Sequence, residues 1–193
     1  MKTTQYPGPN FNAIPISKTM VQKYDKVNHT YKPCFANVVE LIPENNYDKR
    51  AINTAVGKWD YDLFGTSIAK SFNDMTEKLC YNRSDRVYAI TTQDKNFDEL
   101  KPNKILGFVE MFEHNGQNNV DMLYLQAKPK KNYFSETPSN YNHIGKALVS
   151  EMQNVYHNKK ISVYSVEEAT PFYEYMGFVH EEGGRPNSYY WKK

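Results

Sequence analysis

The pattern of apolar and polar positions divides the chain into short segments that predict both helices and strands. Residues 35–42 form a β-branched, apolar run that predicts a strand, and Pro43 ends it. From residue 47 to residue 79, apolar side chains recur at intervals of three and four residues. That spacing predicts one or two amphipathic helices, with Gly57 or Gly65 as the break between them.

The second half of the chain predicts a hairpin followed by alternating strands and helices. Residues 86–92 and 104–112 have the composition of strands, and the Asn-Gly pair at 115–116 predicts an antiparallel hairpin with a further strand at 120–127. An apolar stripe at helical spacing then begins at Ile144 and ends at Val155. After it, the pattern predicts a strand at 161–166, a short helix at 167–176, and strands at 178–180 and 188–191.

This order of elements predicts a single α+β domain. Strand, helices, three strands, helix, strand, helix and two strands is typical of a mixed, mostly antiparallel central sheet flanked by helices. Three prolines and a glycine between residues 7 and 15 break regular structure, so residues 1–34 are expected to be an irregular N-terminal arm. Residues 35–193 are expected to form the domain, because a chain of 193 residues can bury one core.

Composition argues against several classes of protein. The net charge of +2 lacks the basic excess that is typical of nucleic-acid-binding proteins. Cys34 and Cys80 have neither metal-ligand spacing nor the density of a disulfide scaffold, and no histidine pattern indicates a metal, so we expect reduced thiols and no metal site. Residues 1–20 contain no unbroken apolar run, which favours a cytoplasmic protein without a membrane partner.

One helix start has the features of a phosphate site. The segment YNHIGKAL at residues 141–148 opens the helix that begins at Ile144, and a helix start carries unpaired N–H groups and a partial positive charge. Main-chain N–H groups of residues 143–147 are therefore predicted to hold a pyrophosphate, which the small residues Gly145 and Ala147 allow to approach closely. Nearby lysines are predicted to offset the remaining charge, namely Lys128, Lys130, Lys131 and Lys146.

Three segments follow one another in this half of the chain: LQAKP at residues 125–129, NHIGKA at 142–147 and ATPFYEYMGF at 169–178. Together they resemble the GNAT superfamily of acyl-CoA-dependent N-acetyltransferases. The resemblance implies a three-layer fold and acetyl-CoA as the co-substrate. It also implies that the coenzyme binds along the end of the central strand and at the phosphate loop, through Leu125, Gln126, Ala127, Asn142, His143, Ile144, Gly145, Lys146 and Ala147.

The same resemblance implies the chemistry, which is transfer of an acetyl group to a primary amine. An acceptor amine attacks the thioester carbonyl, and the departing thiolate takes a proton, for which Tyr173 is the candidate general acid. The general base is left open between Glu110, which lies in an otherwise apolar strand, and Asp121, near the start of the partner strand. His114 in the hairpin turn is a third candidate for the general base, after Glu110 and Asp121.

Departures from the family pattern keep other functions open. Asn142 stands where the family usually has Arg or Gln, and Val166 stands where many members have Asn. Both departures are compatible with a non-catalytic acyl-CoA-binding regulatory module, in which Tyr173 is an ordinary core tyrosine. A third alternative is a nucleic-acid-directed protein, because residues 128–134 interleave positive charge with stackable rings.

The acceptor is expected to be a small-molecule or peptide amine, bound by a monomer or a homodimer. Its site is expected beside the N-terminal helices and the final strand, near Trp59, Tyr189, Tyr190 and Trp191. The segment WDYDLF at 59–64 suggests a cationic amine, although two solvated aspartates on a helix surface would have the same sequence. The insertion at 130–139 is interpreted as either a lid or an irregular loop.

Overall fold

The computed structural model of the protein describes residues 13–59, 64–75, 85–129 and 138–193. Within these ranges the chain forms one sheet and four α-helices, with short 3-10 turns at Pro102–Lys104 and Glu167–Ala169. The elements in chain order are β1 Ile14–Asp25, β2 Thr30–Leu41, α1 Asn46–Val56, α2 Gly65–Asp74, β3 Asp85–Thr91, β4 Ile105–Glu113, β5 Asn119–Ala127, β6 Tyr141–Asn142, α3 Ile144–Val155, β7 Lys160–Tyr164, α4 Thr170–Tyr175, β8 Val179–His180 and β9 Ser188–Trp191.

The sheet has the spatial order β6-β1-β2-β3-β4-β5-β7-β9-β8. Every neighbouring pair is antiparallel except β5 and β7, which run parallel and are joined through α3. A parallel pair needs a crossover connection, which explains why the helix lies between these two strands in the sequence. The predicted α+β class with a mixed, mostly antiparallel sheet is confirmed.

Two apolar cores lie on opposite faces of the sheet and give the protein three layers. On one face, α1 and α2 contribute Ile52, Ile68 and Phe72, which pack with Val39 and Phe108 of the sheet. On the other face, α3 and α4 pack on the sheet through a second cluster that includes Val109, Leu148, Met152, Tyr173 and Phe178. The alternation of side chains along β4 explains how one strand serves both cores.

The helices begin and end where local sequence predicts. The Asn45 side chain accepts a hydrogen bond from the Tyr47 N–H at 2.8 Å and caps α1, which ends at Gly57. The second helix, α2, begins at Gly65, so both predicted breaks are confirmed. In the described ranges, no helix is long and apolar enough to cross a membrane.

The expectation that residues 1–34 form an irregular arm is wrong for the part that the structure describes. Residues 14–25 are β1, residues 30–34 open β2, and the two strands form a hairpin whose register extends from Ile14↔Glu40 to Asp25↔Thr30 with one shift between Pro15 and Ser17. This hairpin was missed because β1 buries only Val21 and leaves its other side chains exposed or half-buried, so its apolar and polar positions contrast weakly. The division of the chain at residue 35 therefore falls inside a strand, and residues 1–12 lie outside the described ranges.

Candidate functional site

The strand β5 loses its neighbour halfway along. Its register with β7 extends from Asn119↔Lys160 to Met122↔Val163, and β7 ends at Tyr164 while β5 continues to Ala127. A shift in the β4–β5 register lets Leu123 bulge, since Glu110 faces Tyr124 and Met111 faces Met122. Beyond the bulge, no described strand pairs with the β7 side of β5. This free edge contains the predicted coenzyme-binding residues Leu125, Gln126 and Ala127.

The start of α3 lies beside this edge and presents main-chain N–H groups. His143, just before the helix, has a left-handed backbone with φ 61°, and no side chain in the described ranges caps the helix. The His143 N–H already donates to Asn142 Oδ1 at 2.8 Å, and the Ala147 N–H donates to the His143 carbonyl. Of the predicted donors at 143–147, the N–H groups of Ile144, Gly145 and Lys146 make no such bond to another described residue, as is typical of an uncapped helix start.

Gly145 is the point where three elements meet. A methyl group placed on its Cα would lie 3.5 Å from the Phe172 ring of α4 and 3.9 Å from the Leu125 side chain of β5. Both are ordinary packing distances, so the protein interior does not itself require glycine at this position. The free edge of β5, the start of α3 and the first turns of α4 therefore converge, as the three sequence segments predicted.

Tyr173 follows Phe172 and lies in the core beneath this junction. It is 7% exposed, and its ring meets those of Phe172 and Phe178 edge to face at centroid distances of 5.2 and 5.5 Å. Burial raises the pKa of Tyr173 to about 12, because the phenolate is poorly solvated there. The side chain is therefore a neutral phenol at physiological pH, able to donate a proton.

The two candidate bases lie in different environments. Glu110 is 1% exposed and accepts a 2.5 Å hydrogen bond from the Ser71 hydroxyl of α2. The side chain of Asp121 is 35% exposed and lies 2.8 Å from His114 Nε2 across the hairpin. Asp121 is also adjacent to Met122, the last residue of β5 that pairs with β7, so it lies close to the free edge. Asp121 is therefore more accessible to solvent than Glu110.

Structural comparison identifies the fold. No protein-family model matches the sequence, and no curated protein sequence matches it significantly. Among solved structures, a protein assigned to the GNAT family of acetyltransferases from Desulfovibrio desulfuricans superposes with a TM-score of 0.51 at 12% identity, covering 81% of this chain and 98% of its own. AtaT in complex with acetyl-methionyl-tRNAfMet superposes with a TM-score of 0.53 at 14% identity, covering 81% of this chain and 94% of its own. The chain has the GNAT fold.

One residue of this GNAT fold that sequence reasoning missed is Gly107 in β4. A Cβ at this position would come within 2.8 Å of the Gln126 carbonyl oxygen and 2.9 Å of Ile144 Cγ2. The absence of a side chain therefore allows the first residue of α3 to pack directly on β4 and β5. A lone glycine inside a strand is a known signal of close approach by another element, so the position was accessible to sequence analysis.

Other predicted residues have structural surroundings that change their interpretation. Trp59 packs against Phe108 with ring centroids 5.3 Å apart and is buried, as is Tyr189, so both side chains belong to the apolar cores and their place beside the acceptor stays a prediction. Burial lowers the pKa of Lys128, and the nearby charge of Lys58 lowers it further. The remaining predicted positions Asp60, Tyr61, Asp62, Lys130, Lys131, Tyr133 and Phe134 lie outside the described ranges.

Proposed function

We propose that this chain is an acyl-CoA-dependent N-acetyltransferase that moves an acetyl group from acetyl-CoA to a primary amine by direct attack. The observation that carries the proposal is the meeting of an unpaired strand edge with an uncapped helix start at Gly145. A pantetheine arm carries amides that can pair with a strand edge, and a pyrophosphate suits helix N–H groups. Coenzyme A joins these two chemical groups in one molecule.

The geometry supports a set of residues that would hold the coenzyme. Leu125 and Ala127 direct main-chain groups to the free edge and would pair with the pantetheine amides, whereas the Gln126 carbonyl lies beside Gly107 of β4. The N–H groups of Ile144, Gly145 and Lys146 offer donors to the pyrophosphate, and the partial positive charge of the α3 start favours the bound anion. The Lys146 side chain, which donates to the Tyr175 hydroxyl at 2.8 Å, adds a positive charge beside them.

Tyr173 is assigned as the general acid. The phenol is protonated across the physiological range, so a proton is present when the sulfur leaves, although a pKa of about 12 makes Tyr173 a weaker acid than an ordinary tyrosine. The position immediately after Phe172, which contacts the site at Gly145, supports this role. Apolar surroundings also disfavour a free thiolate, so they strengthen the need for a proton donor at this point.

Asp121 is assigned as the general base that accepts the proton of the amine, with Glu110 as the alternative. The exposed fraction of Asp121 and its position beside the end of the β5–β7 pairing support this order. His114, hydrogen bonded to Asp121, orients the carboxylate or passes the proton to solvent. The hydrogen bond of Glu110 to Ser71 supports a structural role that ties α2 to the sheet.

The acceptor is proposed to be the primary amine of a small molecule or a peptide. A screen that measures release of free coenzyme A thiol from acetyl-CoA tests both the coenzyme and the acceptor class. It should include polyamines, aminoglycosides and lysine peptides. Aminoacyl-tRNA belongs in the same screen, because AtaT was solved with an acetylated methionyl-tRNA.

The role of Tyr173 is tested by Tyr173→Phe, which removes only the hydroxyl. We expect unchanged binding of acetyl-CoA and a decrease of kcat of about 100-fold, as for loss of a general acid. Tyr189→Phe is the matched control, because it removes a hydroxyl from another buried tyrosine of the same core. Full turnover by Tyr173→Phe would contradict the assignment, and acetyl-CoA binding without amine-dependent thiol release would indicate the non-catalytic module instead.

A further inference from the structure

The residues that lead into α3 are joined to the N-terminal hairpin of β1 and β2. β6, which immediately precedes the helix, pairs with β1 and so extends the sheet beyond it. Just before β6, the Asn140 carbonyl accepts a 2.9 Å hydrogen bond from the Tyr24 N–H of β1. The Ser139 carbonyl accepts a 2.9 Å hydrogen bond from the Tyr31 hydroxyl of β2. Each residue at 139–142 therefore contacts the hairpin through main-chain pairing or a side chain.

We propose that this hairpin is part of the coenzyme site, because it positions the start of α3, and that Tyr31 is a positioning residue for coenzyme A binding. The proposal rests on the proposed function. The proposal assigns a role to β1 and the start of β2, which the sequence pattern predicts as an irregular arm. The Tyr31 hydroxyl acts through the loop and has no contact with the coenzyme in this proposal.

The physical reason for this role is that ordering the segment before α3 costs free energy when coenzyme A binds. Residues 138–143 lead into α3, and they lose conformational freedom when they must present N–H groups to a ligand. Anchoring residues 139–142 to a strand pair holds His143 in its left-handed conformation before the ligand arrives. Preorganisation of this kind raises affinity without adding a contact to the ligand.

The hairpin is itself well fixed, so it can serve as an anchor. Its register is interrupted only between Pro15 and Ser17, far from the loop contacts. At the contact end, Tyr24 faces Tyr31 across the strands, and their rings meet edge to face at 5.3 Å. Aromatic cross-strand pairs stabilise this part of an antiparallel ladder.

The same pair of tyrosines supplies a matched experiment. Tyr31→Phe removes the hydroxyl that holds Ser139, whereas Tyr24→Phe removes a hydroxyl that lies 3.2 Å from His29 Nδ1 inside the hairpin turn. Both variants keep the two rings in contact. Affinity for coenzyme A is measured by calorimetric titration, KM and kcat by thiol release, and Tm by thermal unfolding of the full chain.

We expect Tyr31→Phe to weaken coenzyme A binding and raise the KM for acetyl-CoA by about 2- to 10-fold, the effect of one neutral hydrogen bond. The kcat at saturation should be unchanged, and Tyr24→Phe should bind like the wild type. Equal affinities for the two variants, whether both normal or both reduced, would overturn the positioning role. Failure of the wild type to bind coenzyme A would instead overturn the proposed function itself and this inference with it.

Discussion

The two faces of the sheet differ in how their polar groups are used. On the face that α1 and α2 cover, buried carboxyl groups accept hydrogen bonds from other groups of the protein. The face that α3 and α4 cover contains the uncapped start of a helix. Asp48 and Glu110 are both buried on the first face, where they accept bonds from the Ile42 N–H and the Ser71 hydroxyl. On the second face, the N–H groups around Gly145 lie next to an unpaired strand edge.

This comparison separates polar groups that maintain the fold from those that are available for a ligand. A buried acid that is bonded internally stabilises one arrangement of helix and sheet, and its removal should alter the free energy of unfolding. A main-chain donor at an open helix start contributes little to folding and is suited to bind an anion. Substitutions on the two faces should therefore affect different measurements.

The largest effect on stability is expected at Gly107, because its lack of a side chain determines how α3 packs on the sheet. Gly107→Ala should lower the free energy of unfolding by about 3 kcal/mol, because the added methyl group overlaps the Gln126 carbonyl and the Ile144 side chain. Coenzyme A binding should decrease as well, since the start of α3 must move. Urea unfolding and calorimetric titration measure the two effects.

Gly145→Ala is the control for this prediction, because its methyl group meets only ordinary contacts. Its free energy of unfolding should stay within about 0.5 kcal/mol of the wild type. Equal destabilisation by the two alanine variants would show that the close approach at Gly107 does not determine where α3 packs.

A second prediction compares the two acids that were candidates for the base. Asp121→Asn should lower kcat by about 100-fold with little change in Tm. Glu110→Gln keeps an acceptor for the Ser71 hydroxyl, and its kcat should stay within about threefold of the wild type. Steady-state thiol release at saturating acetyl-CoA measures both. A larger decrease of kcat in Glu110→Gln than in Asp121→Asn would assign the role of general base to Glu110.

A smaller effect is expected from the pH dependence of Asp48. Burial raises the pKa of Asp48 from 3.8 to about 7, while the hydrogen bond from Ile42 opposes that rise. Between these two pKa values the folded state holds a proton that the unfolded state has lost, so stability falls as pH rises through this window and the loss is complete above pH 7.

The variant Asp48→Asn removes this titration. From pH 5 to pH 8, the wild-type free energy of unfolding should fall by about 2 kcal/mol more than that of the variant. Urea unfolding of both proteins at the two pH values measures the difference, in which the titration of all other groups cancels. Parallel pH profiles would mean that the Asp48 carboxyl stays ionised in the folded protein.

Local signals predicted the start of α3 and the short helix that contains Tyr173, and weak local signals account for what was missed. Gly145 and Tyr173 lie in short motifs whose spacing indicates their positions without any knowledge of the sheet. The hairpin of β1 was missed because its exposed residues, among them Lys18 and Met20, hide the alternation. The pairing of His114 with Asp121 depends on the hairpin register, and a two-residue Asn-Gly turn at 115–116 would have placed Asp121 opposite Glu110 instead of Phe112.

The surroundings of the two acids could not be read from the sequence. Glu110 and Asp121 both stand in apolar strands, and only the contact between α2 and β4 distinguishes the buried acid from the accessible one. Contacts of this kind join residues that are distant in the chain, so no local pattern encodes them. The same holds for Trp59, whose burial against Phe108 depends on how α1 packs on the sheet.

Binding of coenzyme A to Gly145→Glu tests most directly whether the α3 start holds the coenzyme. Calorimetric titration of the wild type, Gly145→Ala and Gly145→Glu should show binding by the first two and a loss of affinity of about 100-fold or more in the third, because a carboxylate would face the pyrophosphate. The free energy of unfolding of Gly145→Ala should be nearly that of the wild type, since a Cβ at Gly145 meets only ordinary packing contacts, and urea unfolding checks that Gly145→Glu is folded. Wild-type affinity in a folded Gly145→Glu variant would contradict the coenzyme site described here.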